Sequence, residues 1–292
     1  MSPDEALLYE SRVRQRTVII AAAAGILVLL ASVIALTGAQ AKVNEETLGL
    51  IYVNKRFPLD LVAAVINGVA SIGAAWTLVF LYRAARARNP DRVRPFIRIV
   101  AIVGGGLAAV AGVAYQVIQA VDAHKFVTTG SQTYDQAQSL LSGGLLPAFQ
   151  LADLLAALLV AVAFVMVSLQ AMNVGLLTRF TGYLGMFAGA LVIFPIVEVP
   201  IVQTYWLLAV AYLVSGRWPS GVPPAWRSGR AEPWPSSAEM RARRLEQTDA
   251  RRGGKGGKGG KPAPVAAPEG AGPPVTDRTR SSTPKRKRKR RG

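Results

Sequence analysis

The segment Arg83-Ala-Ala-Arg-Ala-Arg-Asn-Pro-Asp-Arg-Val-Arg-Pro-Phe-Ile-Arg98 holds six arginines against one aspartate, and a long apolar run lies on either side of it. A loop this basic resists transfer across a bilayer, so it is expected to stay cytoplasmic and to set the direction of both neighbouring helices. A multi-pass helical membrane protein follows from that one feature.

Composition agrees. At 51% hydrophobic residues and a mean hydropathy of +0.30, the 292-residue chain is too apolar for an ordinary soluble domain. It has no cysteine, so disulfides, thiolate metal sites and cysteine nucleophiles are excluded. A single histidine, His124, rules out a multi-histidine metal site. The net charge is +17, and residues 216–292 supply +14 of it, with 20 Lys+Arg against 6 Asp+Glu. The excess belongs to the C-terminal tail.

The chain divides into four parts. Residues 1–17 form a short polar cytoplasmic N-terminus, with Arg12, Arg14 and Arg16 ahead of the first apolar run. Residues 18–214 form an all-α transmembrane bundle with six predicted spans, at about 18–37, 59–82, 100–121, 145–169, 180–196 and 199–214. Val18–Thr37 alone gives about 30 Å of uncharged helix. Ala39-Gln-Ala41 resembles a signal-peptidase site, but the preceding apolar run exceeds a usual signal core, so it is read as a retained helix. Pro195 and Pro200, with Glu198 between them, divide the last apolar stretch into two short helices. With six spans and both termini cytoplasmic, 30 of the 34 Lys+Arg fall inside, and only Lys42, Lys55, Arg56 and Lys125 fall outside.

Residues 215–252 read as a juxtamembrane strap and a short helix. Trp218, Trp226 and Trp234 recur every eight residues among prolines, which predicts an extended segment at the lipid headgroups, with docking to a partner as the alternative. Ser236-Ser-Ala-Glu239 has the form of a capping box that starts the short helix. Residues 253–292 are Gly-Gly-Lys repeats, Pro/Ala runs and a terminal cluster, Lys285, Arg286, Lys287, Arg288, Lys289, Arg290 and Arg291, which cannot build a core and are expected to be disordered. That cluster suits the anionic inner leaflet, and Arg83, Arg86, Arg88, Trp218 and Trp226 join it as expected lipid or polyanion contacts. RNA, including membrane-bound ribosomes, is the competing polyanion, although no aromatic residue in 253–292 supports base stacking.

Polar groups within spans are functional candidates because they are costly there. Asp153 is the clearest, eight residues into the fourth span, with Gln150 one turn before it. Asp60, Asn67, Gln119, Asp122, Glu198 and Gln203 share the outer half with it and suit a polar, outward-opening cavity; structural contacts between helices are the plainer reading of the same groups. No basic residue is expected at that depth, which leaves a cation, a proton, His124 or Lys125 as partner. Gly185-Met-Phe-Ala-Gly189 and the pair Ala108 and Gly112 are small-residue faces for close helix packing. No Walker A loop, GxSxG elbow or HExxH stands in the chain, so neither a cofactor nor an enzymatic activity is expected.

Asn173-Val-Gly-Leu-Leu-Thr-Arg-Phe-Thr-Gly-Tyr-Leu-Gly185 followed by Gly216-Arg-Trp-Pro-Ser-Gly-Val-Pro-Pro-Ala-Trp226 resembles a group of uncharacterised actinobacterial multi-pass integral membrane proteins. The resemblance covers mainly residues 173–237 and implies a bacterial plasma-membrane location. It carries no catalytic residues with it. The expectation is a non-enzymatic membrane protein with a polyanion-binding tail; the alternative is a small ion- or proton-coupled permease using the carboxylates of the outer half.

Overall fold

A computed structural model describes residues 3–37, 46–129, 131–194, 200–219, 221–234, 241–242 and 245–246. The first compact unit, Met1–Pro235, contains eight helices among its described residues and no strand. They are α1 (Pro3–Leu36), α2 (Glu46–Arg88), α3 (Phe96–Thr129), α4 (Tyr134–Ser142), α5 (Leu146–Asn173), α6 (Arg179–Ile193), α7 (Ile201–Val214) and α8 (Pro224–Ser228). Four segments, Glu10–Leu36, Glu46–Arg88, Phe96–Thr129 and Leu146–Asn173, are long and apolar enough to cross a membrane. The apolar helices α6 and α7 are shorter.

The bundle wears its apolar residues outside. Val65, Val69, Ile72 and Trp76 on α2, Ile99, Ile102, Val103 and Val110 on α3, and Leu151, Leu154 and Leu158 on α5 are all exposed. A water-soluble bundle hides such faces, whereas lipid accepts them.

Several boundaries differ from the expected ones. The helix α1 begins at Pro3, so the polar N-terminus continues the first span as helix. The helix α2 begins at Glu46 and runs through Pro58, taking in residues expected to form a loop. Its ends suit the helix dipole, with Glu46 in the first turn and Arg86 and Arg88 in the last. The expected loop at 122–144 is mostly helical as well, because α3 continues to Thr129 and α4 follows. On α4, Ala137, Leu140 and Leu141 pack with Leu50, Ala123 and Phe126 into a small separate core. The last apolar stretch is divided into two helices, with α6 ending at Ile193 and α7 starting after Pro200; residues 195–199, with Pro195 and Glu198, lie outside the described residues. So do the sites of the capping box, the signal-peptidase-like motif and residues 253–292.

Small residues set the helix crossings. Gly105 of α3 faces Ala75 and the Ser71 carbonyl of α2, and its neighbour Gly104 faces Leu159 and Val160 of α5, so a Cβ at either position would press on the partner helix. The GxxxG of α6 also serves internal packing. Gly185 lies under the Trp206 indole of α7 and Ser168 of α5, and Gly189 abuts the Ala161 carbonyl and Phe164. The main core gathers Leu78, Leu81, Ile97, Val167, Leu176, Trp206, Leu213 and Trp226 toward the end of the bundle that carries the arginine loop.

Candidate functional site

At the opposite end the helices part around a cavity of about 950 Å³. Alanines from α1, α2, α3 and α5 make much of its wall, and buried Leu78, Phe164 and Leu207 border it on the side of the core. Its carboxylate and amide groups come from Asp60 and Asn67 of α2, Gln116 and Gln119 of α3, Asp153 of α5 and Gln203 of α7, and Ser32, Tyr52 and Ser71 add hydroxyls. Five of the six carboxylate and amide residues were candidates on depth alone. Gln116 was not, although its spacing of three from Gln119 puts both on one helix face.

The two cavity carboxylates differ in kind. Asp60 accepts from Arg56 at 3.0 and 3.2 Å, and Arg56 also donates to the Tyr52 hydroxyl at 3.2 Å and the Ile34 carbonyl at 3.1 Å. This corrects the expectation that no basic residue reaches the polar half. The helix α2 starts thirteen residues earlier than its predicted span, which turns Arg56 from a loop residue into the i,i+4 partner of Asp60. Asp153, by contrast, makes no hydrogen bond or ion pair among the described residues, and its side chain reaches into the cavity. Across from it on α3, Gly112 leaves the space open, for a Cβ there would stand 4.0 Å from the Asp153 Oδ1.

The remaining polar candidates are spoken for or elsewhere. Gln203 donates to the Ala188 carbonyl at 3.2 Å. Asp122 pairs with Lys125 at 3.5 Å, and His124 Nδ1 lies 3.3 Å from the Asn54 amide oxygen, so neither reaches Asp153. Gln150 is exposed and does not line the cavity. No group of three or more His, Asp or Glu able to hold a metal comes together among the described residues.

At the arginine-loop end the structure overturns two expected lipid contacts. The Arg88 side chain is fully buried and Glu10 nearly so. Arg88 Nη1 and Nη2 donate to the two Glu10 oxygens at 2.5 and 2.9 Å; the Nε and the second Nη2 donor reach the Ala225 carbonyl at 3.0 and 2.8 Å, and the second Nη1 donor the Ala84 carbonyl at 2.8 Å. All five guanidinium donors are used, which is what a buried arginine requires. Trp226 is 6% exposed. It stacks on Phe80 with ring centroids 5.7 Å apart, lies beneath the Arg88 and Arg14 guanidinium groups at 5.2 and 5.8 Å, and donates to the Leu176 carbonyl at 3.0 Å. It is a core residue, and Pro224 starts the one-turn helix α8 that delivers it. Trp218 is half-buried against Tyr212, at 5.9 Å between centroids. Arg86 donates to the Tyr82 hydroxyl at 2.8 Å, and Arg83 is exposed.

The strap thus crosses the α5–α6 turn. Gly175 there has φ +81°, and the chain at Glu232 passes so close that a Cβ would collide with its carbonyl. The Glu232 N–H in turn donates to the Val174 carbonyl at 3.2 Å. Two segments distant in sequence, 173–185 and 216–226, are therefore one packed unit.

Compared with protein-family models, curated proteins and solved structures, the chain matches none.

Proposed function

We propose that the chain is an integral protein of a bacterial plasma membrane, related to the actinobacterial group it resembles, with six crossings and both termini in the cytoplasm. In this reading it works as a small permease or solute-binding protein whose outward half takes up an organic cation or a protonated amine. The observation that carries the reading is Asp153, a carboxylate with no hydrogen-bond or ion-pair partner among the described residues, on the wall of a cavity large enough for a small molecule. An unpaired carboxylate at that depth is costly, so a cationic ligand or a proton is its natural complement. Amides from Asn67, Gln116 and Gln119 would orient a polar ligand, and the alanine walls would accept its apolar part. No bond-making step is part of this reading.

The test is thermal unfolding in detergent with a series of alkylammonium ions. Wild type is expected to gain stability with increasing ligand, by the logarithm of one plus the ratio of ligand to Kd, and Asp153→Asn to gain none. Equal gains in both proteins, or none in wild type, would remove the residue-level support. The absence of native cysteine allows single cysteines at Ser131, Glu198 and Ser236 to report sidedness. Six crossings predict outside labelling at the first two and inside labelling at the third.

A second activity of the same chain rests on charge placement. The seven consecutive cations Lys285–Arg291 on the cytoplasmic side suit anionic lipid, or RNA as the competing polyanion. Salt-dependent loss of binding to anionic vesicles tests it.

A further inference from the structure

A second cavity, of about 850 Å³, lies between the end of α2 and the start of α3. Arg83, Arg86 and Arg98 line its polar part, and Phe80, Ile99 and Ile102 its apolar part. The one carboxylate on its wall, Glu10, has both oxygens engaged by Arg88, so its charge is already matched. Arg98 makes no side-chain hydrogen bond or ion pair among the described residues. The first turn of the 34-residue helix α3, beginning at Phe96, borders the cavity through Arg98 and Ile99 and adds the positive end of its dipole.

The order of these groups along the helices is informative. On α3, Ile102 is one turn beyond Arg98, about 6 Å further into the bundle, and on α2 Phe80 is about 4.5 Å beyond Arg83. Cationic groups therefore sit at the mouth of the groove and apolar ones deeper, on the lipid-facing side where Ile99, Ile102 and Val103 are exposed. A free phosphate would use only the mouth. A phospholipid uses both parts, with its phosphate among the arginines and its acyl chain along Ile99 and Ile102.

We propose that this groove is a binding site for one anionic phospholipid of the cytoplasmic leaflet, its headgroup phosphate held by Arg83, Arg86 and Arg98. The site is separate from the outward cavity and from the polybasic tail. It rests on the membrane reading above but not on Asp153 or any solute.

The experiment is thermal unfolding of the full-length protein in an uncharged detergent, titrated with a short-chain phosphatidylglycerol, the matching phosphatidylcholine, or inorganic phosphate. Detergent removes any dependence on sidedness, so topology and lipid binding fail separately. The phosphatidylglycerol is expected to raise the unfolding temperature in a saturable way, and the other two to leave it unchanged. Arg98→Gln, chosen because Arg98 makes no side-chain hydrogen bond or ion pair among the described residues, is expected to weaken the apparent affinity about tenfold, as loss of one charge-assisted hydrogen bond would. Arg98→Lys is expected to restore most of it. A full-length chain with Lys285–Arg291 replaced by glutamine is expected to keep the effect. An equal response to phosphatidylcholine, an equal response to phosphate alone, no response at all, or loss of the response with the tail charges would each overturn the proposal.

Discussion

At the arginine-loop end, Arg88 and Glu10 are buried together and every guanidinium donor has an acceptor. At the opposite end Asp153 faces a cavity of about 950 Å³ with no partner among the described residues. Both are ionisable side chains on apolar helices, yet only the first is consumed by the fold. Two other details follow the same division. Large side chains such as Trp206, Trp226 and Leu213 fill the first end, whereas alanines surround the cavity at the other. A charge whose valences are all met holds structure; one left open among small side chains is available to something else.

The strongest test of that contrast is to break the closed pair. Arg88→Ala strands Glu10 and frees the Ala225 carbonyl, and it is expected to cost about 3–5 kcal/mol, read as a large fall in unfolding temperature or loss of monodisperse protein. Trp226→Ala removes the ring on which Phe80, Arg14 and Arg88 converge and is expected to cost about 3–5 kcal/mol as well. If instead Trp226 lay at the headgroups, its removal would change stability by less than about 0.5 kcal/mol.

Gly175→Ala comes next. It places a side chain where φ is +81° and where the Glu232 carbonyl already sits, so about 1–3 kcal/mol is expected. Because the strain is shared with the strap, limited proteolysis should cut the segment 217–234 sooner in this variant than in wild type.

Asp153→Asn should go the other way, from neutral to about 1 kcal/mol more stable, since the amide is cheaper to hold there than an unpaired carboxylate. A drop instead would mean that Asp153 joins helices, and the contrast between the two ends would fail.

What the residues disclosed in advance follows the same line. The apolar helices were legible because twenty uncharged residues have few alternatives, and Pro195 and Pro200 marked the division between α6 and α7. Most of the carboxylate and amide groups on the cavity wall were legible because depth along a helix can be counted. The pairing of Arg88 with Glu10 was not, because 78 residues separate them and only tertiary packing brings them together. Arg56 and Asp60 were legible in spacing, but the charges of Glu46, Lys55 and Arg56 read as a loop between spans, whereas the helix runs through all of them. Trp226 was misread for a similar reason. A tryptophan among prolines has the composition of an interfacial strap, and nothing local says that Phe80 and two arginines wait to receive it.

The smallest effect is expected at the boundary between the two ends. Ser168 on α5 is fully buried, and its hydroxyl has no hydrogen-bond partner among the described residues, although the Trp206 indole lies nearby and donates instead to the Thr181 carbonyl at 3.0 Å. A buried hydroxyl without a partner contributes desolvation cost and no bond. Ser168→Ala is therefore expected to leave stability unchanged or raise it by less than about 1 kcal/mol in the same thermal assay. The contrast with Asp153 is then sharpened, because removing Ser168 should leave the alkylammonium response intact whereas removing Asp153 should abolish it. If both substitutions blunt that response equally, the cavity binds through its general shape and not through the open carboxylate.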